Sequence, residues 1–88
     1  MELSREVTIV NELGLHARAA AKIVKVVEKA KSKVWILKDA QEVDASSVID
    51  ILTLCCVKGT KVQIKIDDES DLDILNNIVD QVSRGFRE

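Results

Sequence analysis

The chain has 88 residues, which is enough for one domain with a single core and too few for two. An apolar fraction of 47% beside 32% charged residues belongs to a globular chain and excludes a disordered one. Aromatics are limited to Trp35 and Phe86 and the net charge is -2, which leaves neither base-stacking platforms nor a general basic surface for nucleic acid.

In chain order, Glu6-Val7-Thr8-Ile9-Val10 alternates with β-branched residues and is predicted as a first strand. Asn11 to Gly14 forms a turn. From Ala17 to Ala30 the period changes, and Ala20, Ile23, Val24 and Val27 make one helical stripe with Lys22, Lys25 and Lys29 outside it. Val34-Trp35-Ile36-Leu37 is a second strand, and a short third strand is expected near Glu42-Val43-Asp44. Ser46 and Ser47 offer N-caps for a second helix, predicted to run to about Val57 and to be closed by Gly59. Lys61-Val62-Gln63-Ile64-Lys65-Ile66 alternates strictly, as a strand with one dry and one wet face does. Ser70 is the expected cap of a third helix striped by Leu72, Leu75, Ile78, Val79 and Val82 and ending near Arg84-Gly85. The order β-α-β-β-α-β-α, read as one domain over residues 1-88, gives an α+β open-faced sandwich: a four-stranded antiparallel sheet with three helices on one face. A ferredoxin-like domain with an added helix has the same order.

His16 is the sole histidine. It follows a glycine turn and precedes the alanine-rich start of the first helix, where unpaired N–H groups and the dipole favour an anion. A neutral imidazole nitrogen is nucleophilic near pH 7, and Arg18 adds a planar cation suited to a phosphoryl group. Residues 16 to 33 carry a local charge of +5 against -7 elsewhere, so the surface beside His16 is basic. A lysine run also fits a plain solvated helix face. No glycine-rich Walker loop accompanies the histidine, which argues against direct use of ATP.

The second predicted helix has more apolar residues than one stripe needs. Val48, Ile49, Ile51, Leu52, Leu54, Cys55 and Cys56 surround it, so it is either buried on several sides or exposes a docking patch. Ser46 and Ser47 are read first as caps, and a cap hydroxyl is also a place where an added phosphate is tolerated. Adjacent cysteines rarely bridge and form no zinc site, so Cys55 and Cys56 are read as small apolar side chains in a reducing, cytoplasmic setting. No apolar run reaches membrane-spanning length, and Met1-Glu2 does not resemble a signal peptide.

Gly14-Leu15-His16-Ala17-Arg18 resembles the active-site motif of the HPr phosphocarriers of the bacterial phosphoenolpyruvate:sugar phosphotransferase system. The resemblance runs from Val7 to Gly85 and includes Ala45-Ser46-Ser47-Val48-Ile49 and the Lys58-Gly59-Thr60 turn. Asn11 to Arg18, Ser47-Val48-Ile49 and Gly85-Phe86 look closest to the nitrogen-related branch. The resemblance implies a phosphoryl carrier; no cofactor is expected, and the sequence offers no ligand cluster for a metal. His16 is then phosphorylated on Nδ1 by phospho-enzyme I and passes the group to an enzyme IIA domain, while Arg18 stabilises it. Leu15, Ala17, Val48, Ile49 and Leu52 fall in the shared docking surface. Ser47 aligns with the serine that a dedicated kinase modifies in some members, and a monomer is expected. One departure stands out: Ala19 replaces the proline that usually follows the arginine. A non-catalytic regulatory module with the same docking surface is the alternative, and a metal- or ligand-binding ferredoxin-like domain is a more distant one.

Overall fold

The computed structural model describes residues 3–88. Its elements are β1 (Ser4–Thr8), α1 (Ala17–Val27), β2 (Val34–Lys38), β3 (Gln41–Asp44), α2 (Val48–Leu52), β4 (Lys61–Ile66) and α3 (Leu72–Ser83). Single 3-10 turns, Glu69–Asp71 and Gly85–Arg87, flank α3. The sheet order is β1-β4-β2-β3, and every neighbouring pair is antiparallel. The expected element order and sheet are therefore the ones observed.

Alternation decides which face is covered. Val7, Val34, Ile36, Val62, Ile64 and Ile66 are buried, and the residues between them form the open face. The buried stripes Ala19, Ala20, Ile23 and Val27 of α1 and Leu75, Ile78, Val79 and Val82 of α3 complete the core. On the open face the ammonium groups of Lys33 and Lys65 stand over the Trp35 ring, at 5.8 and 5.9 Å from its centre, and the ring donates its indole N–H to Asp67 at 3.0 Å.

Several boundaries differ from the sequence reading, the larger ones for local reasons. β1 begins earlier because Ser4 pairs with Lys65, and Ile9 leaves the ladder to bond across a turn, donating to the Thr60 carbonyl and accepting from Gly59 N–H. α1 stops at Val27 because the last turn tightens, with Lys29 and Ala30 donating to the carbonyls three residues back. The next two N–H groups, of Lys31 and Ser32, donate to the carboxylate of Asp71, both at 2.9 Å.

The second helix does not reach Val57. α2 has five residues and is closed at Cys55, which takes a left-handed φ of +52° usually left to glycine. The Lys38 ammonium donates to the freed carbonyls of Leu54 and Cys55 at 2.8 and 3.3 Å. Gly59, at φ +92°, belongs to a separate turn in which Thr60 N–H donates to the Val57 carbonyl. Ser70 is not the cap before α3 either: Asp68 accepts from Ser70 N–H at 2.9 Å, and Asp71 holds the N-cap position of α3 while its side chain serves the loop after α1.

Candidate functional site

The site is built on a turn that only glycine closes without strain. Gly14 has φ +65°, and a Cβ there would fall 2.4 Å from the Cys56 carbonyl oxygen. The same carbonyl accepts Leu15 N–H at 2.8 Å, so the turn is stitched to the chain leaving α2. Asn11 braces it from inside by donating from Nδ2 to the Gly14 carbonyl at 2.7 Å. His16 follows in extended conformation as the N-cap of α1, and its carbonyl accepts Ala20 N–H at 2.8 Å.

The His16 ring is held on both nitrogens. Nδ1 accepts the backbone N–H of Arg18 at 3.3 Å, so it carries a lone pair. Nε2 meets a carboxylate oxygen of Glu88, and an ionised carboxylate only accepts, so Nε2 carries the proton. The two contacts agree on one tautomer. The hydrogen bonds from Asn11 and His16 hold the Glu88 carboxyl below its ordinary value, which keeps it ionised at neutral pH. Its other oxygen accepts Asn11 Nδ2 at 3.0 Å.

Nδ1 thus faces the start of α1, the position where helix N–H groups and the dipole favour negative charge. The Arg18 side chain is exposed and makes no hydrogen bond or ion pair among the described residues, which leaves its guanidinium free to meet an anion. Ala19 lies in the first turn of α1 and is buried against the core.

The residues read as a docking surface divide. Ala17 is exposed, Val48 is half-buried, and Ile49 and Leu52 are 74% and 37% exposed, so α2 does present apolar groups to solvent. Leu15 differs: at 5% exposure its side chain is part of the core, and only its backbone takes part in the turn. Leu13 and Val57, 69% and 68% exposed, are apolar groups that the sequence reading did not single out. They belong to the two loops that meet at Gly14 and Cys56.

Ser47 is the N-cap of α2, its Oγ accepting Asp50 N–H at 3.2 Å. Ser46 instead donates to Asp44 at 2.6 Å. That hydroxyl and the Ser46 N–H hold the Asp44 carboxyl low, with Lys33 adding to the effect. Both cysteines are free thiols, and burial pushes that of Cys56 up. Among the described residues no group of three or more His, Cys, Asp or Glu side chains could hold a metal ion, and no helix is long and apolar enough to cross a membrane.

Glu88 and Asn11 are the parts of the site that sequence reasoning missed. Asn11 lay within the turn but carried no distinctive pattern. Glu88 is 72 residues from His16, and no local signal pairs them.

An unprotonated histidine nitrogen stands at the N-cap of a helix on an open-faced sandwich of this order, and the comparisons with known proteins say which class of protein shares that arrangement. Residues 3–84 match the family model for the PTS HPr component phosphorylation site. The chain is 37% identical to the phosphocarrier protein HPr of Pseudomonas putida, over 97% of this chain and 96% of that protein. It is 30% identical to the phosphocarrier protein NPr of Klebsiella oxytoca, over 100% and 99% of the two. The crystal structure of HPr-C-His from Thermoanaerobacter tengcongensis superposes with a TM-score of 0.91 at 31% identity, covering 100% of this chain and 98% of that one. The chain belongs to the HPr family of phosphocarriers of the phosphotransferase system.

Proposed function

We propose that His16 is the phosphoryl acceptor and donor of this phosphocarrier, taking the group on Nδ1 from phospho-enzyme I and passing it to an enzyme IIA domain. The observation that carries the reading is the state of the ring: Nδ1 is unprotonated, its lone pair held only by a long hydrogen bond from the N–H of Arg18 at the start of α1. A phosphoryl group bonded there lies where backbone N–H donors and the Arg18 guanidinium can hold it. Ala17, Val48, Ile49 and Leu52 form the docking surface for both partners, and the cations of α1 attract acidic ones. The protein works as a cytoplasmic monomer in this reading. Ser47 is a cap first, and a phosphate added there would stand beside Asp50 and Asp44, where like charge opposes it.

The test is incubation with phosphoenolpyruvate and enzyme I, followed by intact mass. The expected result is one acid-labile, base-stable phosphate that is absent in His16→Ala. A wild-type protein that stays unmodified, or a His16→Ala protein that still gains the phosphate, overturns the assignment.

A further inference from the structure

We propose that Glu88 is a positioning residue for phosphoryl transfer, its carboxylate keeping the ring proton on Nε2 of His16 through both uptake and release. The inference rests on the assignment of His16 as acceptor.

The contact is built into the fold. After α3 the chain reverses through three consecutive left-handed residues, Gly85, Phe86 and Arg87, with φ of +62°, +57° and +60°. Such a conformation costs about 1–2 kcal/mol for each residue that is not glycine, so it persists only where the surroundings impose it. Here they do. The Phe86 side chain is buried in the core, and its carbonyl accepts the Lys22 ammonium at 2.8 Å. This hook delivers Glu88 to the ring, and Asn11, itself buried and tied to Gly14, fixes the second carboxylate oxygen.

The chemistry gives the contact its purpose. In uptake the Nδ1 lone pair attacks phosphorus. The N–P bond forms, and the bond from phosphorus to the donor breaks with its electron pair leaving on the donor. The ring then carries a positive charge shared by both nitrogens, and its Nε2–H end faces the carboxylate. The hydrogen bond, charge-assisted from the carboxylate side throughout, becomes an ion pair when the ring gains its charge. In release an acceptor nucleophile attacks phosphorus and the N–P electron pair returns to Nδ1. Because the proton has stayed on Nε2, the departing group is a neutral imidazole and not an imidazolide anion. No proton needs to be exchanged with solvent in either step. Nδ1 and Nε2 lie on different edges of the ring, so the carboxylate does not share the phosphoryl's edge.

The test uses Glu88→Gln, which keeps shape and removes charge, and Glu88→Ala. In the unphosphorylated proteins, nitrogen NMR of the imidazole reads the tautomer directly. The wild type is expected to hold the Nε2–H form, and Glu88→Ala to show a mixture. Single-turnover phosphorylation by phosphoenolpyruvate and enzyme I, and return of the group to dephosphorylated enzyme I, are expected to slow about ten- to a hundredfold in both variants, by analogy with the loss of the outer hydrogen-bond partner of a metal-ligating histidine. Arg87→Ala, on the same hook but exposed, is expected to leave tautomer and rates unchanged. Unaltered tautomer and rates in the Glu88 variants overturn the proposal, as does faster transfer or an equal loss in Arg87→Ala. A wild-type protein that never takes up phosphate would instead defeat the assignment of His16, while the tautomer measurement would still stand.

Discussion

Gly14 shows how much of the site depends on one backbone conformation. Gly14→Ala adds a Cβ 2.4 Å from the Cys56 carbonyl at a φ of +65°, so either the turn or the chain after α2 has to move. The expected cost is about 2–4 kcal/mol in urea unfolding, well above an ordinary surface change. His16 and Gly14 were legible in the sequence because a histidine between a glycine turn and a helix start is a local pattern. Glu88 was not, because its place is set by the left-handed run Gly85–Arg87, and nothing in the identities of Phe86 and Arg87 announces such a turn. The burial of the Leu15 side chain is not legible for a related reason: an apolar residue beside His16 is core or surface according to the direction of one bond vector.

At the level of elements, β4 was legible to the residue because strict alternation has a single interpretation, whereas α2 was drawn too long. An apolar run contains no stop signal, and the stop that operates is a cysteine in a conformation normally reserved for glycine. That gives a direct check. Cys55→Gly relieves the left-handed strain without disturbing the Lys38 contacts, which go to backbone carbonyls, and is expected to stabilise the protein by about 0.5–1 kcal/mol in chemical denaturation. A loss of stability would mean that the Cys55 side chain itself packs usefully. The excess of apolar residues on this segment was read correctly as too much for one stripe. Ile51, Leu54 and Cys56 satisfy the core, and Ile49 and Leu52 remain outside.

For the whole molecule, carboxylates set the acid limit of stability. Glu12, Asp44, Asp68 and Glu88 all have carboxyl groups held below their ordinary values, by Lys58, by Ser46, by Ser70, and by Asn11 with His16 respectively. A lowered folded-state value means that the unfolded chain binds protons first, so stability is complete above the ordinary values of 4.5 and 3.8 and is lost as pH falls below them. Cys56 works in the opposite sense. Its thiol is raised from 9.0, so its contribution is complete below that pH and declines as pH rises beyond it. A plot of Tm against pH is expected to be flat through neutrality and to fall on both sides, more steeply on the acid side. A flat acid arm would show that these four contacts do not persist in solution.

The hydrogen bond from Leu15 N–H to the Cys56 carbonyl has a further consequence. It makes the loop that carries His16 and the segment leaving α2 a single mechanical piece. In the proposed function, a partner that seats on Ile49 and Leu52 would also quiet the fluctuations of the His16 ring. The entropy of ordering the two loops would then be lost once, at encounter, and not a second time in the transfer proposed for His16.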